Sequence, residues 1–269
     1  MSFPSIFAEN TYDTPGDRRD RLTKLLCNFR YNFYFRIYYN FYRIGKCSRQ
    51  GRFDRVNQAR YSAGNADILE RCGARIHLRG LEHLAAEPGP FVIAGNHMSA
   101  VETMILNAII SPRLDFTFVI KQGLFGVPFM RQAMRAVGAI GVGQLNPRED
   151  FKVIMEEGER CLRGGKSVLI FPEAARCETF LPERFNTIAV KLARKAGVKV
   201  IPFALKTDFL KFGRLIRECG PVCPENEIHL EFGAPIPISG TGRDEQLRII
   251  EFIRERCMRW SNGAEKEPL

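Results

Sequence analysis

The chain has 269 residues, 45% apolar and 26% charged, with a formal net charge of +10 at pH 7. Those proportions are ordinary for a folded domain and exclude wholesale disorder, a collagen-like repeat and a coiled coil. The eight cysteines are scattered, no secretory signal opens the sequence and no run of roughly 18 apolar residues occurs, so reduced cytosolic thiols and no spanning helix are expected.

Residues 1–17 read as a flexible, acidic, Pro- and Gly-containing tail. Residues 18–60 hold twelve Lys or Arg against Asp20 and Asp54, which equals the whole net charge of the protein. Within this basic front end, nine of the fourteen residues from 29 to 42 are Phe or Tyr. Leu22, Leu25, Leu26, Phe29, Phe33, Ile37, Phe41 and Ile44 recur at spacings of three and four, which predicts one amphipathic helix with a single apolar stripe. Tyr and Arg flank the stripe, and both residue types suit a lipid–water boundary. The arginines that interrupt it favour lying in the interface over crossing the bilayer. Two other readings fit the same composition: a helix packed on the protein's own core, and an arm that stacks on nucleic-acid bases. A second helix is expected over 53–72, and residues 18–72 are read together as a membrane-docking segment.

From residue 73 strands and helices take turns. RIHLRG (75–80), FVIAG (91–95), FTFVI (116–120), AIGV (139–142), SVLIF (167–171), VKVIPFAL (198–205) and EIHLEF (227–232) read as strands. Helices are expected over 100–110, 129–137, 149–162, 185–196 and 243–260. This alternation predicts an α/β domain over 73–269, with a mixed, largely parallel central sheet flanked by helices. In such sheets working residues gather on loops at the carboxyl ends of strands.

Two loops of that kind carry chemistry. His97 follows FVIAG directly, and Glu102 lies five positions later. On one helix these side chains would diverge by about 140°. They meet only if His97 sits on the loop and Glu102 in the first turn of the next helix, with Gly95 ending the strand and Ser99 capping the helix. A carboxylate on one imidazole nitrogen would then leave the other free to take a proton from a hydroxyl. A histidine merely bonded within a turn is the bland alternative. The second loop, FPEAARC (171–177), places Glu173 and Arg176 at a strand exit, where Arg suits a phosphate or carboxylate and Glu173 a polar headgroup or Arg176 itself. A structural Glu–Arg pair is the alternative there. Cys177 lacks a partner base, and Cys219, Cys223 and His229 lack a fourth metal ligand. The glycines of GAIGVG (138–143) are misspaced for a dinucleotide loop, and no G-x-S-x-G elbow occurs.

Together the blocks resemble the glycerolipid acyltransferase superfamily, of the lysophosphatidate acyltransferase type. Asn96-His97-Met98-Ser99-Ala100-Val101-Glu102 is similar to its N-H-x-S-x-x-D block, and Phe171-Pro172-Glu173-Ala174-Ala175-Arg176 to its F-P-E-G-T-R block. Lys121, Pro128, Gly138-Ala139-Ile140 and Val200-Ile201-Pro202 follow its order over roughly residues 75–235. The resemblance implies acyl transfer from acyl-CoA or an acyl carrier protein to a lysophospholipid hydroxyl. His97 and Glu102 would be catalytic, and Asn96, Ser99, Lys121, Glu173 and Arg176 would bind substrate. Backbone N–H groups of the first or third block would hold the oxyanion. No metal, other cofactor or nucleic acid is implied, and the partner is an anionic membrane surface at the cytoplasmic face. The chain departs from the pattern in having Glu102 for Asp, Ala174-Ala175 for Gly-Thr, Gly141-Val142-Gly143-Gln144 where a basic residue is usual, and Asn186 after Phe185. A lipid-binding relative of weak or no activity is therefore the second expectation.

Overall fold

The computed structural model describes residues 2–4, 6–25, 30–128, 130–214, 216–217 and 219–262. Strands β1 (Tyr12–Asp13), β2 (Ile76–Arg79), β3 (Val92–Gly95), β4 (Phe116–Lys121), β5 (Ile140–Val142), β6 (Ser167–Ile170), β7 (Val200–Lys206) and β8 (Ile228–Phe232) form one sheet in the order β1-β2-β8-β7-β3-β6-β4-β5. Only the β1–β2 and β7–β8 pairings are antiparallel. The remaining pairings are parallel, so the sheet is mixed and largely parallel as expected.

The central strands are short apolar runs because helices cover both faces. In β3, Ile93 enters one core layer while Val92 and Ala94 enter the other, and β6 divides Leu169 from Val168 and Ile170 in the same way. One face carries α2 (Arg30–Arg49), α3 (Arg55–Arg71) and α4 (Val101–Ile110); the other carries α6 (Pro147–Arg163), α7 (Ile188–Ala196) and α8 (Arg243–Ser261). Helix α5 (Met130–Ala136) packs on α2, and Phe129 lies outside the described residues. Because β7, β3, β6, β4 and β5 run in one direction, their exits share one edge of the sheet.

The front end differs from its reading in two respects. Residues 12–14 are not loose: β1 pairs with β2, and Tyr12, Thr14 and Arg18 all donate to the buried Glu70 carboxylate on α3. Composition alone does not show that partner. Of the single predicted helix, α1 (Arg21–Leu25) and α2 are described, with Leu26 and Phe29 of its stripe outside the described residues. Phe33 and Ile37 are each 1% exposed and pack on the protein's own core, so this part of the stripe does not face outward. A second stripe does. Tyr31, Phe35, Tyr38, Tyr39 and Tyr42 are all more than 40% exposed, and Phe35 reaches 74%. With so many aromatic residues, the helix is apolar on two faces, and shape decides which is buried.

Candidate active site

The exits of β7, β3 and β6 lie side by side, and each supplies part of one site. Strand β3 ends at Gly95 because it must. A Cβ there would stand 2.4 Å from the Phe203 carbonyl oxygen on β7. Asn96 then turns inward, donating its amide to the Leu205 carbonyl at 2.8 Å and accepting the Leu205 N–H at 2.9 Å. This pair of bonds locks the turn to β7 and sends His97 out toward solvent, with 18% of its side chain exposed.

Glu102, in the first turn of α4, is fully buried and meets His97 Nδ1 at 2.8 Å. The same Oε1 accepts the N–H groups of Met98 and Ser99 at 2.7 and 2.9 Å. Its Oε2 accepts the Thr207 hydroxyl at 2.8 Å, with Ser99 Oγ 3.1 Å away. Burial by itself raises the carboxyl, but His97, the backbone and Thr207 outweigh it and hold Glu102 below the usual carboxylate range. An ionised acceptor at Nδ1 makes that nitrogen the N–H of the neutral ring and leaves Nε2 as the base lone pair. The ring is also stacked on Phe171 at 4.0 Å between centroids, 16° from parallel. Hydrogen bond and stacking together fix its plane.

Helix α4, which carries Glu102, is held in turn by α3. The Ser62 hydroxyl donates to the Met104 carbonyl at 2.7 Å and accepts the Ala108 N–H at 3.0 Å, entering the helix ladder between them. Ser99 does not cap α4 in its own right. It lies one residue before the cap and accepts the Val101 N–H at 3.1 Å.

The third block closes the site from β6. Glu173 was expected to face a headgroup or Arg176. Instead its carboxylate is 5% exposed and accepts the His97 N–H at 2.8 Å and the Leu181 N–H at 3.4 Å. Burial pushes its carboxyl up, and the two amide bonds oppose this without cancelling it. Asn96, Ser99 and Glu173 are thus buried, and the hydrogen bonds of their side chains build the site itself. Arg176 remains at a cleft beside Ser99 and Ala100. Lys121 is exposed at the end of β4. Thr207 was missed in the sequence, where its only signal was its place just after an apolar strand. The nearby thiol of Cys257 is pushed up to about 12, mainly by burial and further by Glu173, which makes it a poor nucleophile.

The departures from the family pattern have structural correlates. Glu102 reaches His97 despite its extra methylene. Gln144 stands where a basic residue is usual and donates to the Ala174 carbonyl at 2.8 Å. Ala174 has φ 59°, the left-handed region that glycine adopts without strain. Ala174→Gly is therefore expected to stabilise the fold by about 0.5–1 kcal/mol with no loss of activity, as measured by chemical denaturation.

Residues 75–206 match the Acyltransferase family model. The match covers just under half of the chain. It is 33% identical over 132 residues to the 1-acyl-sn-glycerol-3-phosphate acyltransferase of Pseudomonas aeruginosa, covering 49% of each chain. It is 31% identical over 134 residues to a chloroplastic 1-acyl-sn-glycerol-3-phosphate acyltransferase of Arabidopsis thaliana, covering 49% of this chain and 36% of that one. The chain thus spans about half, or less, of the length of the curated relatives it matches. Its fold is that of the 1-acyl-sn-glycerophosphate acyltransferase PlsC from Thermotoga maritima, with a TM-score of 0.64 at 16% identity over 93% of this chain and 99% of that one.

Proposed function

We propose that the protein transfers a fatty acyl group from an acyl thioester, acyl-CoA or acyl carrier protein, to the hydroxyl of a lysophospholipid such as lysophosphatidate. The observation that carries this reading is the His97–Glu102 pair, with the carboxylate buried and 18% of the His97 side chain exposed, in a chain similar to this superfamily. Nε2 takes the hydroxyl proton while the oxygen attacks the thioester carbonyl. The C–S bond then breaks, and the imidazolium returns its proton to the departing thiolate. The products are an ester and a free thiol. Glu102 orients the ring and offsets its transient charge. The chain's own side chains supply the proton transfer, and the scheme calls on no metal or further cofactor. The N–H groups of His97, Met98 and Ser99 already serve Glu173 and Glu102, so the first block is a poor oxyanion hole. The third-block turn around Ala175 is the better source of donors. The test offers labelled acyl-CoA and acyl carrier protein to a panel of lysolipids and looks for diacyl product. Product from lysophosphatidate supports the reading. No product from any pair would favour the inactive lipid-binding relative.

Membrane association belongs to the same proposal, as a peripheral contact at the cytoplasmic face. No helix among the described residues is long and apolar enough to cross a membrane. The outer aromatic stripe of α2, with Lys46 and Arg49 exposed on the same helix, suits an anionic surface, where each cation contributes about 1 kcal/mol. Phe35→Glu with Tyr39→Glu is expected to cut co-sedimentation with anionic vesicles at least about tenfold without unfolding the protein, since both positions are exposed. Equal co-sedimentation of variant and wild type would remove this stripe from the docking surface.

A further inference from the structure

Thr207, the residue after β7, belongs to none of the motif blocks, yet its fully buried side chain meets Glu102. The His97, Met98 and Ser99 groups that bond the Glu102 carboxylate are local to the turn before α4. Thr207 reaches the same carboxylate from a different strand. Its N–H donates to Met98 Sδ at 3.2 Å, and two residues earlier the Leu205 backbone exchanges two bonds with the Asn96 side chain. The strand end that locks the His97 turn therefore also delivers a hydroxyl to Glu102.

The hydrogen bonds here have a direction. The Val101 N–H donates to Ser99 Oγ at 3.1 Å, Ser99 Oγ to Thr207 Oγ1 at 2.9 Å, and Thr207 Oγ1 to Glu102 Oε2 at 2.8 Å. The direct contact from Ser99 Oγ to Glu102 Oε2 is longer, at 3.1 Å. Each hydroxyl accepts one bond and passes one on, so the chain ends on the carboxylate and each link strengthens the next. Glu102 Oε1 is held meanwhile by three N–H groups, that of the His97 ring among them. The last torsion of a glutamate is broad, without the staggered wells that would hold its carboxylate plane. Fixing the plane takes a bond at each oxygen. Glu102 has one torsion more than an aspartate would, and Thr207 anchors its second oxygen.

We infer that Thr207 is a positioning residue for proton transfer: its bond to Glu102 Oε2 fixes the carboxylate plane, and with it the Nδ1–H bond that orients His97. Being fully buried, Thr207 acts through Glu102 and not on substrate. The same bond adds to those that keep Glu102 ionised. The effect on turnover rests on the acyl-transfer reading, but the effect on the His97 hydrogen bond does not.

The test compares Thr207→Val, which keeps the shape and removes the hydroxyl, with Thr207→Ser, which keeps the hydroxyl. With an acyl thioester and lysophosphatidate, Thr207→Val is expected to lower kcat about tenfold at a KM within about twofold of wild type, and Thr207→Ser to stay within about twofold in both. A second arm needs no turnover. Proton NMR follows the exchange with water of the His97 Nδ1–H, whose signal is the one lost in His97→Ala. This exchange is expected to be at least about tenfold faster in Thr207→Val. Thr117→Val is the control: Thr117 is equally buried on β4, and its hydroxyl has no hydrogen-bond partner among the described residues. It should leave both readouts at their wild-type values. If the valine protein does not fold, Thr207→Cys, a weak donor, takes its place against Thr207→Ser. Faster exchange in Thr207→Val supports the inference even where no acceptor is acylated, in which case only the acyl-transfer reading fails. Wild-type exchange overturns the inference whatever happens to kcat, and so does faster exchange at wild-type kcat. An equal change in Thr117→Val or in Thr207→Ser also overturns it, because the hydroxyl at 207 is then not the cause.

Discussion

Replacing His97 by alanine is expected to lower kcat for acyl transfer about 10³-fold while the fold is kept, a loss within the range for removing a general base. The structure predicts that separation of effects. The features that build the turn do not pass through the imidazole: Asn96 bonds Leu205, and Glu173 receives the His97 backbone N–H, which alanine retains. The ring contributes one of several donors to Glu102 and a stacking contact with Phe171. Its removal should cost about 1–2 kcal/mol of stability. Turnover and denaturation midpoint measured on one preparation decide the matter. Wild-type turnover by the alanine protein would sink the general-base role, whereas an equal collapse of activity and stability would mark His97 as a structural residue.

The alternation of strands and helices from residue 75 onward was legible because each element carries its own local signal. The apolar runs at β3 and β6 are buried on both faces, and the helices show a stripe of period 3.6. The His97–Glu102 pair was legible for the same reason: strand end, glycine, loop and helix start are consecutive. What was missed lies in contacts between segments far apart in the chain. Thr207 meets Glu102 from 105 residues away. Helix α2 shows a different limit. Counting apolar spacing finds a stripe, but with aromatic residues on both sides it cannot tell which one the core takes. The roles of Asn96, Ser99 and Glu173 mark a third limit. A motif says that a polar side chain is needed, and only burial shows that it is needed by the backbone.

Glu102 should respond differently from His97, because its carboxylate serves structure and chemistry at once. Glu102→Gln preserves shape. The amide carbonyl must face His97 Nδ1, Met98 N–H and Ser99 N–H, since turning the NH2 that way would set it against three donors. On the other side Thr207 and Ser99 can rotate their hydroxyls to accept from the NH2. The ring therefore keeps its tautomer and loses only the negative charge that steadies the imidazolium. A fall in kcat of about 10²-fold is expected, less than where a wrong tautomer results. Glu102→Ala leaves two buried N–H groups without an acceptor and should cost about 3 kcal/mol or more as well as most of the activity. The pH dependence carries its own sign. The folded-state carboxyl of Glu102 lies below its unfolded value, so its contribution to stability is present above the unfolded carboxylate pKa and is lost as pH falls through the folded one. Glu173, raised by burial, slopes the other way, so the informative quantity is the difference between wild type and Glu102→Gln. That difference should shrink as the solution is acidified below about pH 4. A difference that stays flat through that range, or a Gln variant with full turnover, would mean that the charge at position 102 does neither job.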